Sequence, residues 1–403
     1  MDAKSKRLYK SILYVVIFLI VSLPVFYGSM MEGGRIRQWI SCIEELSAAL
    51  LDGTVLWFPS IDVIFNTSAQ LSLFRSNVWN LFPAIVYMLF QNITFTYQVM
   101  MILLQLGTLM AAILLFGRIF EEERAAFFGV LLYMTCPYRI YLCYDKADMA
   151  QAVVWMLFPI YIWAVYELCT AAKKLKGMTV AALVLAGIGY ADVTLLLVIC
   201  GVTVLLVLFT RRWQPLVPLV AGCIMVAPVL LRLAKYLFKG EYAELGIPLD
   251  GIMEKGYAGA QFFTSYAYLE GQPGMGLALM IGLATLGWLY FAVGNIKLPK
   301  QCGVAAGISA ILILMSYRLF PWDIFQRLGG WSIRLIPLLE TPGVFFGIAH
   351  LGLCILAAFA VERVSKQENK MLAIGLPACV LAAALGVAAY LCNTLTYYRM
   401  PLA

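Results

Sequence analysis

Charge is scarce in this chain of 403 residues: Asp, Glu, Lys and Arg make up 13% of it, against 63% hydrophobic residues. A soluble domain carries about twice that charged fraction, so the composition describes a polytopic membrane protein. No stretch of about 50 residues escapes the hydrophobic segments, which leaves no room for a separate soluble domain and makes residues 1–403 a single integral membrane domain. Histidine is nearly missing, and the single one, His350, lies inside an apolar segment. The ten cysteines form no C-x-x-C pair. Clustered Cys and His are what a zinc site requires, so a centre of that type is not expected, and the cysteines read as small apolar residues. Fixed-period repeats and low-complexity tracts are missing too. The net charge of +7 does not imply nucleic acid, because Lys and Arg in a membrane protein set its orientation.

What is present is a series of about eleven apolar segments able to cross a bilayer of about 30 Å. They cover residues 8–27, 94–117, 125–142, 149–169, 178–190, 193–209, 215–236, 275–293, 302–317, 343–361 and 371–391. The fifth and ninth are short. The expected fold is therefore all-α, with long outward loops. The first segment follows a basic start and lacks a small-x-small cleavage site, so it reads as an uncleaved span. With the N-terminus cytoplasmic, one side of the membrane collects Arg118, Lys173, Lys174, Lys176, Arg211, Arg212, Lys297, Lys300, Arg363, Lys366 and Lys370. This is the bias of the positive-inside rule, and it puts the C-terminus outside.

Three long loops then face outward. In the first, Ile36, Trp39, Ile40, Ile43, Leu46 and Leu50 repeat at helical spacing, as in an amphipathic helix lying on the interface. The stretch 78–90 is too short to span and reads as a re-entrant or surface helix. Arg139, Asp145, Lys146 and Asp148 cluster at an outward span end, where Arg139 and Lys146 suit a lipid phosphate, or else the charges neutralise one another. Asp192 interrupts two short apolar stretches. Acids at membrane depth are costly and often functional, although this one could equally cap a helix. In the third loop Arg318, Trp322 and Asp323 combine a phosphate partner, a headgroup-level aromatic and a proton acceptor.

Four segments in order carry a family resemblance: Glu44-Glu-Leu-Ser-Ala-Ala-Leu-Leu-Asp-Gly53, Tyr133-Met-Thr-Cys-Pro-Tyr-Arg139, Ser316-Tyr-Arg-Leu-Phe-Pro-Trp-Asp323 and Leu338-Leu-Glu-Thr-Pro-Gly-Val-Phe-Phe-Gly347. Together they resemble the YfhO-like branch of the bacterial GT-C-type membrane glycosyltransferases. That resemblance implies a GT-C-like fold with a large first extracytoplasmic loop. It also implies transfer of a sugar from a polyprenyl-phosphate carrier to a cell-envelope acceptor, with a first-loop carboxylate as base. Arg35, Trp39 and Cys42 stand where the family pattern carries Asp, His and Arg, and Gln151 stands for a later acid. The remaining base candidates are Glu32, Asp52 and Asp62, the last in an apolar setting that favours the protonated form.

Substrate contact falls to Arg139, Lys146, Asp192, Arg318, Trp322 and Asp323, and Arg139 and Arg318 are expected to line one outward cavity. No organic cofactor is implied. A divalent ion serves some GT-C enzymes, but no acid pair in the sequence identifies one. The altered first loop also admits a non-catalytic scaffold, which would bind membrane lipid and a protein partner in an envelope-assembly complex. A lipid or solute transporter is a third class.

Overall fold

Apolar runs bounded by Gly, Pro, Asn and Asp fold as helices because lipid offers the backbone no hydrogen-bond partners. The computed structural model describes residues 3–26, 34–60, 75–170, 174–239, 252–263, 273–293, 298–339, 341–366 and 370–397. Among them the structure is all helix and connection. In chain order the helices are α1 (Ala3–Ser22), α2 (Gly34–Leu51), α3 (Leu81–Phe90), α4 (Ile93–Ile119), α5 (Glu123–Met134), α6 (Pro137–Ile140), α7 (Met149–Thr170), α8 (Lys174–Ala191) and α9 (Val193–Thr210). There follow α10 (Leu216–Met225), α11 (Ala227–Ala234), α12 (Leu277–Trp288), α13 (Lys300–Ser316), α14 (Trp322–Arg327), α15 (Ser332–Leu335), α16 (Gly343–Ser365) and α17 (Lys370–Tyr397).

Each of the eleven apolar segments is helical, but the expected count of eleven spans is not reproduced. Among the described residues five helices are long and apolar enough to cross a membrane: α4, α7, α9, α16 and the 373–390 part of α17. The count rises to seven if each of two bent pairs is one span. The first pair, α5 with 137–145, turns by 40°, and the second, α10 with 227–239, turns by 78°. Both breaks precede a proline near the start of the second helix, Pro137 and Pro228, which cannot donate to the preceding turn. The remaining four segments are shorter, over Ser11–Phe26, Leu175–Ala191, Leu277–Phe291 and Lys300–Ser316. A helix of 17 residues such as α13 covers about 26 Å, less than the hydrocarbon thickness.

Helix α16 forms the axis: 94% of its apolar window is buried, with α5, α12, α13 and α17 packed around it. Small residues permit the approach. A Cβ on Gly282 would lie 2.6 Å from the Ala357 Cβ, so α12 and α16 meet nearly backbone to backbone. Helix α2 is amphipathic as its spacing predicts, with Ile36, Trp39, Ile43 and Leu46 buried.

The two ends of the bundle differ. At one end Arg118 pairs with Glu167, and Lys366 with Glu122 at 3.2 Å and with Glu362 at 2.6 Å. The other end gathers the first-loop helices and the 318–339 loop. There Trp322 lies flat on Phe345 at 5.2 Å, and its indole N–H donates to the Met315 carbonyl at 2.8 Å.

Candidate functional site

Two aspartates from distant parts of the chain meet one arginine at this second end. Asp148 precedes α7, and its Oδ1 accepts from the Gln151 amide at 3.2 Å. Asp192 precedes α9, and its Oδ1 accepts from the Thr194 and Leu195 amides at 2.9 and 3.0 Å. Each carboxylate thus caps a helix and sits at the positive end of its dipole. That leaves Oδ2 of each for Arg75, whose Nη2 donates to Asp148 at 2.9 Å and to Asp192 at 3.0 Å. Both side chains are buried, and Arg75 keeps 16% exposure, so the guanidinium is the group of the three that a ligand can reach.

The elements around the cluster fix it firmly. Ser76 donates its amide to the Tyr190 carbonyl at 3.1 Å and its hydroxyl to the Trp57 carbonyl at 3.0 Å. The Trp79 indole N–H donates to the Gly187 carbonyl at 2.8 Å. The segment bearing Arg75 is therefore pinned to the end of α8 and to the 54–60 connection. The latter is itself held by Glu45, whose carboxylate accepts from the Ser60 amide at 3.0 Å. Ala147, buried next to Asp148, has φ of +48°, a backbone conformation uncommon for a residue with a side chain. Such strain persists only where the surroundings over-determine it.

A cavity of about 60 Å³ opens beside Arg75 and Asp148, lined also by Gln38, Trp39, Cys42 and Asn77. It has room for several waters, since one needs about 10–15 Å³. Trp39 and Cys42 of the amphipathic helix α2 thus line this pocket. The Trp39 indole N–H is buried with no hydrogen-bond partner among the described residues, which leaves a donor for a ligand oxygen. Burial, and secondarily Glu45, pushes the Cys42 thiol up to about 12, with Arg75 opposing; Cys42 is no nucleophile near neutral pH.

A second, apolar cavity of about 780 Å³ starts at Thr194, two residues beyond Asp192, and runs between α9 and α13 under the 318–339 loop. Trp322, Phe320 and Phe345 form its outer wall, and the Thr194 hydroxyl donates to the Leu338 carbonyl at 3.2 Å.

The other expected residues lie as follows. Arg139 is 1% exposed. Its Nη1 donates to Gln105 Oε1 at 2.5 Å and its Nη2 to the Met134 carbonyl at 2.6 Å. Arg318 is exposed, and its amide donates to the Tyr257 carbonyl at 2.9 Å. The two arginines therefore do not share an outward cavity: one is committed inside the bundle, because its neighbours there offer acceptors that water would otherwise supply. Lys146 is half-buried after the π-helical turn 141–145. Asp323 accepts weakly from the Met253 amide at 3.3 Å. Asp52 is exposed in the turn that ends α2. Glu32 and Asp62 lie outside the described residues. Asp192 is where the sequence suggested an acid of interest. Arg75 was not foreseen, and its only signal is a lone cation in a loop.

No protein-family model matches the sequence, and no curated protein matches it. Among solved structures, the chain is similar to the apo oligosaccharyltransferase of Archaeoglobus fulgidus, with 11% identity and a TM-score of 0.47 over 95% of this chain and 56% of that one. The chain thus spans little more than half the length of that protein.

Proposed function

We propose that this chain is a GT-C-like membrane protein that binds a polyprenyl phosphate at the Arg75 end and transfers the sugar it carries to a cell-envelope acceptor. The observation that carries the reading is an acid-held arginine beside a small cavity, with a long apolar cavity whose lining begins at Thr194, two residues beyond Asp192. An isoprenoid chain matches the apolar cavity. A phosphate matches Arg75 with the Trp39 N–H, since guanidinium and N–H donors are the strong partners of phosphate oxygens. Asp148 and Asp192 set the position of Arg75, and the four segments resembling the family favour the same chemistry. In this reading the bundle sits with the Arg118 and Lys366 end cytoplasmic, as the charge bias favours.

A non-catalytic lipid-binding partner in envelope assembly is the second reading. It is favoured by the saturation of both aspartates, whose oxygens already serve two helix ends and Arg75, so that neither stands ready as a base. The test is direct. Purified protein in phosphatidylcholine vesicles is titrated with polyprenyl phosphate, then supplied with a polyprenyl-phosphate sugar and assayed for sugar release. Binding that weakens on the order of tenfold in Arg75→Lys supports the site, because lysine loses the planar fork. Turnover separates enzyme from lipid-binding partner. No binding by the unaltered protein sinks both readings.

A further inference from the structure

The opposite end of the bundle holds another cavity. It has a volume of about 240 Å³ and lies between α7, α9, α13 and α16. Its walls are apolar from Leu312 to Val304, and its mouth carries Arg212, Lys300, Gln301, Tyr166 and Thr170. No acid lines it. Two carboxylates at this end are engaged with other cations, Glu167 with Arg118 and Glu362 with Lys366. Arg212 donates one N–H to the Cys169 carbonyl, which closes the end of α7. Among the described residues the Lys300 ammonium has no hydrogen-bonding or ion-pair partner.

We propose that this cavity is a site for one anionic phospholipid from the leaflet at the Arg212 end. Two cations with no lining acid give the mouth a charge that a phosphate diester complements. Tyr166, Thr170 and Gln301 add hydrogen-bonding groups beside them. From Lys300 to Leu312 the cavity runs about 18 Å along α13, close to half of the bilayer's hydrocarbon thickness of about 30 Å. A single chain from one leaflet fills that depth. The exposed Trp213 next to Arg212 belongs at the headgroup level, where indole rings collect. The unneutralised positive charge at this end and the apolar shaft behind it are independent of the polyprenyl-phosphate reading, which concerns the other end.

The experiment reconstitutes the full chain in vesicles of equal parts phosphatidylcholine and phosphatidylglycerol, extracts it in mild detergent and counts retained lipid by mass spectrometry. The unaltered protein should retain phosphatidylglycerol over phosphatidylcholine. Arg212→Glu with Lys300→Glu should cut that retention on the order of tenfold, whereas Arg212→Lys with Lys300→Arg should keep it. Ala305→Trp, which fills the shaft, should lower retention of both lipids without altering the charge. Thermal melting of each variant in phosphatidylcholine alone identifies any that fail to fold, and the charge-conserving pair then carries the comparison. Equal retention of the two lipids by the unaltered protein overturns the site. So does an equal loss in Arg211→Glu, whose side chain does not line the cavity, because that outcome describes a general basic belt.

Discussion

Two arginines are held inside this bundle by opposite means. Arg75 lies between two buried carboxylates and keeps a solvent-facing edge, while Arg139 is almost wholly buried and bonds to a glutamine and a main-chain carbonyl. Among the described residues no carboxylate pairs with Arg139. The Arg75 cluster carries a formal charge of −1, offset by two helix N-termini; the Arg139 site carries +1, solvated only by neutral dipoles. Gln105 is in turn braced by Tyr144, whose hydroxyl accepts from its Nε2 at 2.8 Å and donates to the Val21 carbonyl at 2.6 Å. Arg139 thereby ties α1, α4 and the α5–α6 break together. The lesson is that a cation's partners decide its role: neutral acceptors deep in the bundle make a brace, whereas charged partners at a cavity edge make a binding group.

The largest effect should follow from Arg75→Met. It leaves two buried carboxylates facing each other without a cation, a change that costs about 3–5 kcal/mol, readable as a drop in thermal stability in detergent. Arg139→Met should cost clearly less, about 1–2 kcal/mol, because removal of an uncompensated buried charge offsets the acceptors it strands. If the two variants melt alike, the contrast between the sites is wrong. Next, a double-mutant cycle of Arg75→Met with Asp192→Asn should give a coupling of about 1–3 kcal/mol; a value near zero would mean that the ion pair is not energetically formed. Gln105→Leu should destabilise by about 1–3 kcal/mol, and the loss should shrink in an Arg139→Met background to what the Gln105–Tyr144 hydrogen bond contributes.

The smallest effect concerns pH. The Cys42 thiol is pushed up to about 12 from an ordinary value of 9. Above pH 9 the unfolded chain releases this proton while the folded chain keeps it, so folding binds a proton and stability falls as pH rises from 9 toward 12. Cys42→Val should remove that part of the alkaline loss, and unchanged alkaline melting in the variant would contradict it.

Much of the helical framework was legible from hydropathy, because apolar runs in lipid have one backbone solution. The amphipathic face of α2 was equally plain, its spacing fixed by 3.6 residues per turn. The breaks at Pro137 and Pro228 were missed because hydropathy is blind to a lost N–H when both flanking runs are apolar. Asp192 stood out as a lone acid between apolar stretches. Arg75 did not, since it is a lone cation in a loop of mixed residues and finds Asp148 and Asp192 across 73 and 117 positions. Arg139 drew attention through its motif, and only its neighbours Gln105 and Tyr144, far away in sequence, reveal what it does.

Val202 and Leu312 line both of the large apolar cavities, the one below Asp192 and the one behind Arg212. The two chambers therefore approach each other at those two side chains, which stand as a partition between them. A chain seated fully in either chamber presses on the same two residues. If both proposed sites take a lipid, occupancy of one changes the room available to the other, and the coupling free energy is identical in both directions. Under the two proposed lipid sites, such a partition would let the protein compare its two leaflets through a valine and a leucine. Titrating polyprenyl phosphate at low and high phosphatidylglycerol, in the unaltered protein and in Leu312→Ala, reads that coupling; equal affinities throughout would show that the partition is rigid.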